Sequence, residues 1–217
     1  MEKGEKKMDY QKFLQIIEQE KQHSPKRKLL LQACCAPCST AVLEQLNDIF
    51  AITILFYNPN ITIEQEYQKR KEELKRFLKE NYPMIQLLDC DYDKESYLQA
   101  IKGHEQEKEG SLRCYLCYQL RLEKTAILAK TYHYDYFGTT LSISPYKKST
   151  WLNEIGKNLE EKYQIHYLYA DFKKKNGYRR SIELSSKYHL YRQDYCGCIY
   201  SKIEREQIKA KKDQNQE

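Results

Sequence analysis

The chain has 217 residues, enough for one domain with a substantial core and short for two independent ones. A hydrophobic content of 41 % excludes a disordered chain, and a net charge of +6 suits an acidic partner such as nucleic acid, though a general lysine bias would give the same figure. The charged start, MEKGEKKMDYQKFLQII, carries no signal-peptide core, and no window approaches the roughly 18 apolar residues of a membrane helix, so the expected location is cytoplasmic with no membrane contact.

Residues 1–26 read as an N-terminal helical extension, with Tyr10, Phe13, Leu14 and Ile17 at helical spacing and Ser24-Pro25 as its end. Lys28 to Ala33 is a short apolar run that predicts a buried strand. It leads into Cys34-Cys35-Ala36-Pro37-Cys38, where Pro37 suits the first turn of a helix because its missing N–H needs no partner there. That helix continues over 41–46. A second strand spans about 50–57 and stops at Asn58-Pro59-Asn60. A strongly charged helix follows over 62–80, with Tyr67, Leu74, Phe77 and Leu78 on one side. Residues 85–88 predict a third strand, leading into Asp89-Cys90-Asp91. Helices are expected near 94–102 and 115–131, a fourth strand over 134–141, a helix near 149–161 and a fifth strand over 165–169. A basic loop and a last helix lead to Cys196-Gly197-Cys198. The charged stretch 203–217 is expected to be a frayed, disordered tail.

Strands alternating with helices over 27–202 predict a single α/β catalytic domain, a mostly parallel sheet with helices on both faces. Ligands of such sheets sit beyond the carboxyl ends of the strands. The turn at 34–38 occupies that place. A nucleotide-binding protein would carry a glycine-rich phosphate loop there, whereas this turn has three cysteines and no glycine, so the site is read as one for metal. The 20 tyrosines are expected mostly as half-buried core residues with a wet hydroxyl, some of them able to stack on bases.

Eight cysteines in a reducing compartment point to metal or redox chemistry and away from disulfides. Seven fall into three groups: Cys34, Cys35 and Cys38; Cys114 and Cys117; Cys196 and Cys198. Residues three apart at a helix start share a face, and the positive helix end lowers a thiol's pKa. Thiolates favour zinc, copper(I) or iron–sulfur centres. A structural zinc takes four ligands, fewer than the seven present. Adjacent cysteines such as Cys34 and Cys35 are expected to point apart and to serve different centres. An iron–sulfur site is preferred, with structural zinc and a thiol–disulfide redox site as alternatives. Cys90, alone after the third strand, reads as a small buried hydrophobe. Asp89, Asp91 and Asp93 around it read as solvated turn residues.

The motifs LLLQACCAPCS (29–39), FYNPNI (56–61) with Glu66-Tyr67 and Arg70, CYLCYQLRL (114–122), GTTLSISPYK (138–147), FKKKNGYRRS (172–181) and LYRQDYCGC (190–198) together resemble the epoxyqueuosine reductase QueH family, the non-cobalamin type, over roughly 28–200. The resemblance implies a Rossmann-like fold of the adenine-nucleotide hydrolase group. It implies reduction of the epoxide of epoxyqueuosine at the tRNA wobble position, giving queuosine. It also implies a 4Fe–4S cluster and an additional mononuclear metal, iron. The implied ligands are Cys34, Cys35, Cys114, Cys117, Cys196 and Cys198, undivided between the two centres. Two positions depart from the family pattern: Gln32 stands where many members have histidine, and Cys38, a further candidate ligand, where others are acidic.

Epoxide removal consumes two electrons and two protons and releases water. The electrons come from an unidentified donor. Asp91, Tyr146 and Tyr195 are the candidate proton donors. The anticodon loop of tRNA is the expected partner, held by Lys147, Lys148, Lys173, Lys174, Lys175, Arg179 and Arg180, with the wobble base splayed into the metal pocket. An RNA-binding protein with structural zinc, and an ATP-dependent tRNA-thiolation enzyme of the same fold class, are the rival readings. The second lacks its Ser-Gly-Gly phosphate loop here.

Overall fold

Leu29, Leu30 and Leu31 have no exposed surface, because the strand they form is covered on both faces. The computed structural model describes residues 2–214, with side chains over 9–214. Its elements are α1 (Glu2–Glu20), β1 (Lys28–Gln32), α2 (Ala36–Leu46), β2 (Ala51–Phe56), α3 (Glu64–Asn81), β3 (Gln86–Asp89), α4 (Lys94–Ala100), α5 (Leu112–Thr131), β4 (Tyr136–Thr139), α6 (Ser149–Tyr163), β5 (His166–Tyr167), α7 (Gly177–Lys187) and α8 (Ile199–Gln214). The strands form one parallel sheet in the order β3-β2-β1-β4-β5. Leu29 of β1 lies opposite Ile52 of β2 on one side and Tyr136 of β4 on the other.

Successive strand residues point to opposite faces. Leu29 and Leu31 join Ile54 and Phe56 in one core layer, against Leu43 of α2, Phe77 of α3 and Leu184 of α7. Leu30, Leu55 and Phe137 join the other, against Leu122 of α5 and Leu152 and Leu159 of α6. Each buried leucine contributes roughly 2 kcal/mol. The chain leaves β1 toward α2 on one face and β4 toward α6 on the other. A crevice therefore opens between these adjacent strands at their carboxyl ends, the position where such sheets hold ligands.

The ends of the chain differ from the sequence expectation. Phe13 of α1 is buried edge-on against Phe172 at 5.6 Å, but Leu14 is 40 % exposed and Ile16 packs in its place. Residues 203–214, expected to fray, continue α8. Its first turns are tied down by Glu204 on Arg113 at 2.8 Å and by Arg205 Nε on the Asp194 carbonyl at 3.0 Å. Residues 215–217 lie outside the described residues. Among the described residues, no helix is long and apolar enough to cross a membrane.

Candidate metal centre

β1 ends at Gln32, whose side chain is wholly buried. Its Nε2 donates to the Tyr57 carbonyl at 3.1 Å and to Asn58 Oδ1 at 3.0 Å, and its Oε1 accepts from Thr139 Oγ1 at 2.8 Å. This amide ties together the rims of β1, β2 and β4 directly beneath the cysteine turn. The chain then enters α2 with Cys35 as its N-cap and Pro37 in the first turn.

The sulfurs of Cys34, Cys35 and Cys38 lie within 4.8 Å of one another, and those of Cys34 and Cys35 are 3.6 Å apart. The adjacent pair does not diverge as expected, because the chain turns from strand to helix here and both sulfurs swing toward Cys38. Gln193 Nε2 donates to Cys35 Sγ at 3.0 Å. Hydrogen bonds from Cys34 and Cys38, with the Arg70 charge behind them, hold the Cys35 thiol well below the usual range despite its burial. The hydrogen bond with Cys35 pushes Cys34 up to about 12, and those with Cys34 and Cys35 raise Cys38.

Cys114 and Cys117 sit one turn apart at the start of α5. Cys114 Sγ accepts from Gly110 N at 3.3 Å, and Cys198 Sγ from Ser201 N at 3.4 Å. Cys117 and Cys198 pack together against Tyr97 and Ile101. Cys196 lies near enough for its charge to act on both Cys114 and Cys117. Burial raises Cys114 and pushes Cys117 up to about 12. Gly197 fits between Cys196 and Cys198 because its φ of +128° is open to glycine, and a Cβ there would stand 2.9 Å from Ile61 Cγ1. Cys34, Cys38 and Cys196 line one cleft of about 450 Å³. Cys90 is absent from the cysteine trio and from the cleft wall; burial raises its thiol, and its carbonyl accepts from Tyr67 Oη at 3.0 Å.

Four cations are buried around these thiols: Arg70, Arg113 and Arg121, each 1 % exposed, and Lys147 at 6 %. Sequence reasoning assigned no role at the centre to any of the arginines. Arg70 enters it only as part of the motif with Glu66 and Tyr67. Only the spacing of Arg121 carried a signal, since it continues the helix face of Cys114 and Cys117. Lys147, expected to contact tRNA at the surface, instead pairs with Glu109 at 2.8 Å inside the cleft. Burial opposes its charge, but Cys196, Tyr118 and Glu109 more than offset this and keep it protonated.

Tyr146 and Tyr195 line the cleft, whereas Asp91 is exposed beyond β3 and is absent from its wall. Tyr195 is raised by burial, so it keeps its proton at neutral pH. Asp89 pairs with Lys71 at 2.9 Å and Asp93 caps α4 through Ser96 N at 3.1 Å, ordinary turn roles. Lys173 is turned inward onto the carbonyls of Ser142 (2.9 Å) and Lys147 (3.2 Å). Arg180 is engaged by Glu44 at 2.7 Å. Lys148, Lys174, Lys175 and Arg179 remain exposed; Lys148 lies 3.7 Å over the Trp151 ring and Arg179 pairs with Glu183 at 3.2 Å.

A parallel α/β sheet with buried thiols in place of a phosphate loop defines a Rossmann-like protein with a cysteine metal site at its strand rim. The fold is similar to that of the U34-tRNA thiolase NcsA from Methanococcus maripaludis, described with its 4Fe–4S cluster, at a TM-score of 0.55 and 14 % identity, covering 90 % of this chain and 69 % of that one. The family model for epoxyqueuosine reductase QueH matches residues 29–204. Curated proteins of that description are 40 % identical in Streptococcus pyogenes, over 90 % of this chain and 78 % of the relative, and 42 % identical in Haemophilus influenzae, over 80 % and 71 %. This chain belongs to the epoxyqueuosine reductase QueH family.

Proposed function

We propose that this chain reduces the epoxide of epoxyqueuosine at the wobble position of tRNA to queuosine, the last step of that modification. The observation that carries the reading is a close trio of cysteine sulfurs at a cleft that Cys196 also lines, in a QueH-family chain.

The donor sets suit two different groups. Thiolates on one ion, with metal–sulfur bonds near 2.3 Å, stand about 3.8 Å apart in tetrahedral geometry. The close trio of Cys34, Cys35 and Cys38 therefore fits a single iron. Cys114, Cys117, Cys196 and Cys198 would supply the four thiolates that hold a 4Fe–4S cluster. When bound, these groups supply electrons one at a time and a Lewis acid for the epoxide oxygen.

In the reaction both epoxide C–O bonds break, a C=C bond forms, and the oxygen leaves as water with two protons and two electrons. The chain's own residues bind, orient and protonate. A cleft of about 450 Å³ is the size of a small-molecule site and admits a base splayed from an anticodon loop. Tyr146 and Tyr195 on its wall are the proton donors, Tyr195 being held protonated by burial. Lys148, Lys174, Lys175 and Arg179 contact the tRNA backbone. An external cytoplasmic reductant supplies the two electrons.

The test is anaerobic incubation of metal-loaded protein with reductant and epoxyqueuosine-containing tRNA, followed by nucleoside analysis. Queuosine is the expected product. Unchanged epoxyqueuosine from a loaded sample overturns the proposal.

A further inference from the structure

Three of the four buried cations around the thiols have a carboxylate of their own. Arg70 pairs with Glu66 at 2.6 Å, Arg113 with Glu204 at 2.8 Å and Lys147 with Glu109 at 2.8 Å. Arg121 has none among the described residues. Its Nε reaches the Cys117 carbonyl, at 3.4 Å, its Nη2 has no hydrogen-bond partner, and the residue forms part of the cleft wall. It is nonetheless 1 % exposed. A buried charge without an opposite charge is strongly unfavourable, so such an arginine implies an anion in the working protein. The groups whose charges act on it most are Cys117 and Cys196 of one centre and Cys34 of the other. Thiols become anionic when they ligate metal.

We propose that Arg121 is the counter-charge shared by the two thiolate-held centres, a positioning residue that holds the anionic assembly in place and favours its reduced form. The inference rests on the reading of these thiols as iron ligands. Near thiols of both groups, one fixed positive charge stabilises each added electron, and so raises the reduction potential of the cluster. It also lowers the repulsion between adjacent thiolate sets. The competing role is purely structural: Arg121 as a helix residue that holds the Cys117 carbonyl and lies 5.8 Å from the Tyr118 ring.

Arg121→Gln keeps length and a donor for that carbonyl while removing the charge, and Arg121→Lys keeps the charge. The experiment measures thermal unfolding of metal-free and iron-loaded proteins, iron loss to a chelator, and the cluster midpoint potential. The counter-charge role predicts metal-free R121Q unfolding at or above the wild-type temperature. Loaded R121Q should lose iron about tenfold faster, as expected for residues behind metal ligands, and its potential should fall, with R121K in between. R121Q that is stable without metal yet takes up no iron also upholds the role. Metal-free R121Q unfolding below the wild-type temperature by as much as the loaded form, or loaded R121Q with unchanged potential and iron retention, overturns it. Wild-type protein that binds no iron instead defeats the reading of the thiols as iron ligands, and the metal-free comparison still decides whether Arg121 is structural.

Discussion

The guanidinium of Arg70, buried in α3, donates from Nη1 to the carbonyl oxygen of Cys196 at 3.0 Å. Its Nε pairs with Glu66 at 2.6 Å, and its charge favours the thiolate of Cys35. One side chain thus braces the Cys196 turn and stabilises the first cysteine group from a helix far away in the sequence. Arg70→Ala strands Glu66 and the Cys196 carbonyl, and a broken buried pair costs about 3 kcal/mol. Urea unfolding should show that loss, together with reduced iron content after anaerobic loading.

Gly197→Ala places a side chain at φ +128° against Ile61. Strain of this kind costs roughly 1–3 kcal/mol. The Cys196-Gly197-Cys198 turn should relax outward, lowering both the unfolding midpoint and the sulfide retained per chain.

The two centres should come apart by mutation. Cys38→Ala is expected to remove about one iron per chain and leave acid-labile sulfide unchanged, whereas Cys117→Ala should remove most of the sulfide. Iron and sulfide assays on the two variants check this. Equal loss of sulfide in both would mean that Cys34, Cys35 and Cys38 belong to the cluster.

In the metal-free chain the Cys35 thiol is lowered and its neighbours raised. A lowered folded-state pKa contributes stability above the ordinary thiol pKa, and that contribution is lost as pH falls through the lowered value. Ultraviolet thiolate absorbance should therefore persist below the range where free thiols are ionised. It should vanish in Cys35→Ser. Absorbance that titrates like a free thiol would contradict the charge distribution.

Replacing Lys174, Lys175 and Arg179 together by Gln should weaken tRNA binding whatever the sequence, and flatten its salt dependence by about 2 in the logarithmic slope. Arg180→Gln should change it far less, because Glu44 already holds that charge. Filter binding over a salt series separates the two.

The β1 turn, the three cysteine groups and the alternation of strands and helices were legible because each is local: Leu29 to Cys38 carries its strand, turn and helix start in ten residues. The charges were not. Lys147 beside the exposed Tyr146 reads as a surface cation until Glu109, from the loop before α5, meets it in the cleft. The burial of Arg113 and Arg121 depends on cysteines that other segments bring to them, and hydrophobic periodicity places an arginine outside by default. Asp91, next to Cys90 in the chain, is likewise exposed and absent from the cleft wall, which only the fold reveals.

The most direct measurement is the metal and sulfide content of protein purified without oxygen. The account predicts a brown chain holding about five irons and about four sulfides, one cluster plus one ion. A colourless chain with about one zinc and no sulfide, as a structural four-ligand site would give, contradicts it.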